Sequence, residues 1–324
     1  MNTPDVENFW NRVDLKEKTP VEYWLALSSV KGLDNVRIKQ LIAHFESVKA
    51  IFDAQSSEIE RLRSLSSALA AQICTATDTL SMFRKKLDDL RNQNVRVLSL
   101  EDPNYPTQLK AIPDAPPVLC GIGELTEIDE SCVSIVGTRE PTEEAIHLTR
   151  TLATNLASTG ITVISGLAMG IDTYAHTGAL EGSGKTIAVL GTDVSTIYPL
   201  KNRELAAEIQ AQGCLLSEHP FQTSPSPRNL VQRNRIISGL SQATIVIEAR
   251  KKSGTLHTAR FAKGQKKLLF ACQWEEDSGR EGTGALIKGG ACPFAPNEID
   301  KVVEALQPPE QFEETDIGQL LLNV

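Results

Sequence analysis

The stretch ITVISGLAMGIDTYAH, Ile161 to His176, decides the fold. A short apolar run ends in a glycine turn, and a helical pattern starts directly behind it. That is the strand–turn–helix unit of a parallel sheet. The unit recurs on both sides. CVSIVG, ITVIS, TIAVLG, CLLS, ATIVIEA and KLLFACQ read as strands. Between them lie PTEEAIHLTRTLATNLASTG, GIDTYAHTGALEG, KNRELAAEIQAQG, VQRNRIISGLS and SGTLHTARFAKG, which read as helices. The strands are continuous apolar runs, so both of their faces are buried. The prediction is an α/β, extended Rossmann-like, doubly wound parallel sheet.

Upstream the pattern is helical. In VEYWLALSSVKGLDNVRIKQLIAHFESVKAIFDA apolar residues stand three and four apart, and Gly32 breaks the run into short helices. Two more helices are predicted over SSALAAQICTAT and TLSMFRKKLDDLRNQN, then a strand at VRVLSL. EDPNYPTQLKAIPDAPPVL carries prolines 103, 106, 113, 116 and 117, which argue against regular structure. The division expected is a small helical domain over 1–100, a proline-rich connector over 101–130, the Rossmann-like domain over 131–307 and an acidic tail over 308–324. In that tail only IGQLLLN has a helical pattern.

Composition narrows the function. The 324 residues are 41% hydrophobic and 23% charged, as in a folded globular protein. No apolar run approaches the roughly 20 residues of a membrane span. The polar start, MNTPDVENFWNRVDLKEKTP, lacks the apolar core of a signal peptide, so a cytoplasmic location without membrane contact is expected. The six cysteines are scattered without metal-ligand spacing, and neither metal nor cofactor is expected. The net charge is −8, yet Arg228 to Lys267 holds ten basic residues against one acid, Glu248. A basic segment in an acidic chain points to a local polyanion site. Its alternative is a solvated helix face, which fits Lys251 and Lys252 equally well.

Ligands of doubly wound sheets gather at the carboxyl ends of the strands. Those ends deliver Gly137, Thr138 and Arg139, then Ser165, Gly166, Gly170 and Asp172, then GTDVSTIYPLKN with Asn202. SEHPFQTSPSPRN and EARKKSGT follow, the latter with Ser253 and Gly254. A nicotinamide site needs GxGxxG after the first strand, where this chain has GTRE. GSGKT (Gly182–Thr186) lacks the first P-loop glycine, since Ala179 stands there, and a strand follows it instead of a helix. Lys185 is left as either a solvated side chain or a phosphate contact. The turns GTR and SGLAMG offer backbone N–H groups and helix N-termini to a phosphate. Arg139 adds a permanently charged fork, and Arg233, Asn234 and Arg235 read as a further clamp. Asp172 and His176 stand four apart on one helix face, a spacing open to acid–base chemistry or to a cap and brace; the cap is favoured. Tyr198 and Phe221 are candidates for base stacking.

SIVGTRE, SGLAMGIDTYAHTGAL, GKTIAVLGTDVSTIYPLKN, LLSEHP, RNRIISGLSQATIVIEARKKSGTLHTARFA and GTGALIKGGA come in the order of the DprA (Smf) DNA-processing family, which the chain resembles over about residues 20–292. The helical start resembles that family's SAM or helix-hairpin-helix domain. The resemblance implies a non-catalytic single-stranded DNA binder that dimerises and loads the RecA recombinase during DNA uptake and transformation. Its basic pocket maps onto Arg139, Gly166, Gly170, Lys185, Asn202, Arg233, Asn234 and Arg235. The chain departs from the family at Leu230 and Val231, where a Phe-Pro pair is usual. FACQWEEDSGREG replaces a Val-Pro-Gly turn, and no winged-helix pattern follows Cys292. Such departures fit a specialised paralogue in phage defence, or an antitoxin working through a toxin or other defence partner. The rival from another class is a nucleotide-binding enzyme that cleaves an N-glycosidic bond, with Asp172, His176 or Glu248 as acid or base.

Overall fold

The computed structural model describes residues 20–62, 65–123, 131–275 and 280–307. The polar start and the acidic tail fall outside the described residues.

Nine strands form one sheet: β1 (Arg96–Ser99), β2 (Val118–Gly123), β3 (Cys132–Val136), β4 (Thr162–Ser165), β5 (Thr186–Leu190), β6 (Cys214–Ser217), β7 (Ala243–Val246), β8 (Leu268–Cys272) and β9 (Cys292–Phe294). Their order is β1-β2-β6-β5-β4-β3-β7-β8-β9. From β3 to β9 the pairing is parallel throughout. The six apolar runs read as parallel strands are β3 to β8, and VRVLSL is β1. Because β3, β5 and β7 are buried along their whole length, they carry no alternation. The chain lays β4, β5 and β6 to one side of β3, then returns to lay β7, β8 and β9 on the other. That reversal opens a crevice at the carboxyl ends of β3 and β7.

The proline-rich segment is more ordered than its composition predicts. It holds a helical turn, Thr107–Lys110, and enters β2 at Val118. Its last proline stops one residue short of the strand, so every β2 amide is free to pair. The Pro117 carbonyl accepts from Leu100 N at 3.1 Å. β2 then pairs antiparallel with both β1 and β6. VQRNRIISGLS, read as one helix, is two, Pro227–Gln232 and Asn234–Leu240, with Arg233 at the joint.

Helices cover both faces. On one, the Glu143–Ser158 and Ile171–Glu181 helices bury Leu152, Leu156 and Ala175 against Ile135, Val163 and Ile245. On the other, Trp24 and Leu41 of the N-terminal helices join Leu119, Leu216, Ile236 and Leu240 in one continuous apolar cluster. The Val21–Ser28 and Asn35–Phe45 helices meet at Gly32, whose φ of 90° provides the turn, and Asp34 caps the second by accepting from Arg37 N at 2.9 Å. Among the described residues no helix is long and apolar enough to cross a membrane.

Candidate nucleic-acid interface

A cavity of about 630 Å³ lies in the crevice. β3 brings Gly137, Thr138 and Arg139 to it; the turn after β4 brings Ala168 and Asp172; the loop after β7 brings Arg250, Lys252, Ser253 and Gly254. Tyr198 stands on one side, and Pro225, Ser226, Pro227, Leu230 and Val231 form a wall that continues into Arg233 and Asn234.

Close packing explains why the turns carry glycine. Gly170 has φ 80°, and a side chain there would run into the backbone of Thr138 and Arg139. A side chain at Gly137 would strike Ile171. The two turns are thus locked together, with Ile171 N donating to Thr138 O at 3.1 Å and Thr138 N to Glu248 O at 2.8 Å. Thr255 Oγ1 adds a bond to Gly137 O at 2.9 Å. Arg139 projects from this rigid base and is exposed.

The backbone cradle expected at SGLAMG is turned inward. The amides of Gly166 and Ala168 point at the Asp172 carboxylate, the latter at 3.4 Å. Burial pushes the Asp172 pKa up, while the charge of Arg233 opposes the shift. Arg233 is 3% exposed and packs against Gly166, where any side chain would collide with it. It donates to Val189 O and, through Nε, to Leu230 O at 3.3 Å. Burial draws its pKa down to about 10, with Asp172 working against that shift. Arg233 therefore forms part of the cavity floor, with Asp172 beside it in the lining.

Four other residues of the expected set lie elsewhere. Arg235, with a side chain 4% exposed, makes a 3.0 Å ion pair to Asp114 and a 2.6 Å pair to Glu218. It fastens the proline-rich segment to the loop after β6 and does not line the cavity. Asn202 Nδ2 donates to Leu167 O and Thr173 Oγ1, both at 2.9 Å, and so holds the glycine turn from behind. Ser165 Oγ donates to Ile135 O at 2.7 Å inside the sheet. Lys185 is exposed at the amino end of β5, the far end of the parallel strands from the cavity.

The suspected acid–base groups are also engaged. Thr186 Oγ1 donates to Val163 O at 2.7 Å, so at 2.7 Å from His176 Nδ1 it must accept the ring N–H. His176 is fully buried, and burial, helped by the charge of Arg233, lowers its pKa to about 3. Its ring is a neutral brace between helix and strand. Glu248 Oε2 accepts from Thr142 N at 3.1 Å and Thr142 Oγ1 at 3.0 Å, at the start of the Glu143–Ser158 helix.

Of the stacking candidates, Tyr198 is 43% exposed and lines the cavity. Phe221 does not: its ring stacks on Phe83, centroids 5.8 Å apart. The rim residues to which the sequence reading gave no definite role are Lys252, Arg250 and the Pro225–Val231 wall, present there only within the strand-end stretches and, for Leu230 and Val231, as departures from the family. The wall had a signal in SPSPRN, a serine cap followed by proline at the first helical position; Ser226 Oγ accepts from Asn229 N at 3.1 Å. Among the described residues no group of three or more His, Cys, Asp or Glu could hold a metal ion.

Residues 96–307 match the family of DNA recombination-mediator protein A. The chain belongs to that family. It is 40% identical over 253 residues to Protein Smf of Synechocystis, covering 77% of this chain and 63% of that protein's length. With Protein Smf of Escherichia coli it shares 36% identity over 88% of this chain and 75% of the other. The crystal structure of DprA from Streptococcus pneumoniae superposes with a TM-score of 0.72 at 28% identity, over 87% of this chain and 98% of that one. DprA from Helicobacter pylori, whose structure was solved in a study of its single-stranded DNA binding mode, gives 0.59 at 31% identity over 65% and 97%.

Proposed function

We propose that the cavity at the carboxyl ends of β3 and β7 binds single-stranded DNA through its phosphates and leaves the strand uncut. The observation that carries this is the exposed Arg139, held on two interlocked glycine turns in a cavity lining that it shares with Arg250 and Lys252. Permanent positive charge on a rigid base suits a repeated anion. Tyr198 offers a ring for one base. Asp172 lines the cavity but its carboxylate is engaged by the Ala168 and Gly166 amides, while the fully buried His176 and the helix-capping Glu248 lie outside the cavity lining, which favours binding over acid–base chemistry. Delivery of the strand to a RecA-type recombinase, by a homodimer, belongs to the same proposal and is supported by the family membership.

The test is to mix the protein with an end-labelled oligodeoxythymidine and follow both anisotropy and strand length. Binding that weakens about tenfold in Arg139→Ala, with the strand recovered at full length, supports the reading. A shortened strand, a released base, or equal competition by a nucleoside monophosphate contradicts it.

A further inference from the structure

The wall from Pro225 to Val231 has few anchors of its own: its backbone at Asn229 and Leu230 lies against Gly191, and Asn229, Leu230 and Val231 are only half-buried. Its helix, Pro227–Gln232, contributes no buried residue to the core. An element with so little packing takes its position from its tethers. At one end the Arg233 side chain is fixed in the cavity floor. At the other, the tether leads out of the sheet and into the N-terminal helices.

Four residues ahead of Pro225, Phe221 stacks on Phe83 of the Leu80–Asn92 helix, the rings tilted by 17°. Lys86 of that helix places Nζ 4.6 Å from the Phe221 centroid and 5.9 Å from that of Phe83, a cation over both rings. From Phe221 the connection turns back to the cavity. Thr223 Oγ1 donates to Phe221 O at 2.7 Å, and Thr223 N donates to Asp193 Oδ2 at 2.8 Å. Asp193 Oδ1 accepts from Ser195 N at 3.0 Å, in the loop that carries Tyr198. Two sides of the cavity, the Tyr198 loop and the proline wall, thus share one joint, and Phe221 clips that joint to the helical region.

We infer that Phe83, Lys86 and Phe221 form a latch by which the N-terminal helices position the proline wall, so that the helical region is part of the strand-binding apparatus. The inference rests on the strand-binding reading of the cavity. The three are positioning residues: none lines the cavity, and none is placed to touch a phosphate. Losing the latch therefore weakens binding without releasing fewer counterions, whereas losing Arg139 changes both.

The full chain is compared with Phe221→Ala, Lys86→Ala, Phe221→Tyr and Arg139→Ala, using a labelled oligodeoxythymidine at several salt concentrations. Hydrogen exchange is followed on the free proteins. Phe221→Ala is expected to bind about two- to tenfold more weakly, in line with the loss of one aromatic pair, with the wild-type salt slope. Lys86→Ala, a milder change in case the first disturbs folding, is expected to lose about twofold. Phe221→Tyr keeps the stack and wild-type affinity. Exchange at the Ser226–Val231 amides rises in Phe221→Ala while the Glu143–Ser158 helix is unchanged. Wild-type affinity or unchanged wall exchange in Phe221→Ala overturns the latch while Arg139→Ala still weakens binding. Should Arg139→Ala also bind normally, the strand-binding reading falls and the latch with it.

Discussion

The turn after β3 and the helix that begins at Asn234 both bring arginine to the working end of the sheet, and they use it in opposite ways. Arg139 rides on a turn with no room beneath it, because Gly170 lets two backbones touch and Gly137 makes room for the Ile171 side chain, and its own side chain is exposed. Arg235 belongs to a helix buried almost all round, with Ile236, Ile237 and Leu240 beside it, and its charge is met by Asp114 and Glu218. The same side chain is a probe of solvent in one place and an internal strut in the other. A basic residue near a strand end is a ligand candidate only if its neighbours leave it without a buried partner.

The largest effect that separates the two is on stability. Arg235→Ala leaves the largely buried Glu218 without its partner, Asp114 being a third exposed and near Lys39, and is expected to cost about 3 kcal/mol in denaturant unfolding. Arg139→Ala should change the same unfolding free energy by less than about 0.5 kcal/mol. A small loss at Arg235 would place it with Arg139 and break the distinction.

Next comes acid. His176 has a folded pKa of about 3 against an ordinary 6.5, so the unfolded chain takes up the proton first. Stability is whole above 6.5 and falls as pH drops toward 3; between pH 6.5 and 5 the loss is about 2 kcal/mol. Urea midpoints measured across that range should fall more steeply for the wild type than for His176→Gln. Equal slopes would show that the ring is not held neutral.

The smallest effect concerns the rim. Arg250 makes an exposed 3.0 Å pair with Glu140, and both line the cavity. A bound phosphate competes with that carboxylate, so Glu140→Gln should tighten oligonucleotide binding by no more than about fivefold, the range of an exposed pair. Weaker binding in Glu140→Gln would show that the carboxylate helps to hold the ligand.

The parallel sheet was legible because β3 to β8 are continuous apolar runs; β3, β5, β6 and β7 are buried along their whole length, but β8 opens with the exposed Leu268 and the half-buried Leu269 and Phe270, so burial of both faces does not extend to every run. β2 was hidden by five prolines that all precede it, and β9 by its length, three residues including Pro293. Arg139 was legible from strand-end logic alone. Arg235 was not, because its partners Asp114 and Glu218 are remote in sequence. The available signal was an arginine inside an otherwise apolar helix, which must be paired when buried. Lys185 was separable from the site by the same strand-end rule, since it precedes β5 instead of following it. The inward turn of the SGLAMG amides depends on where Asp172 points, which spacing does not specify.

On the proposed reading, charge on the Arg139 rim, and not basic surface in general, holds the strand. The decisive quantity is the slope of log binding constant against log salt for wild type, Arg139→Ala and Lys185→Ala on one oligodeoxythymidine. The slope expected for Arg139→Ala is shallower by about 0.7, the share of one neutralised single-strand phosphate, and that of Lys185→Ala equals the wild type. Equal slopes for wild type and Arg139→Ala, or a change confined to Lys185→Ala, would refute the assignment of the strand to this rim.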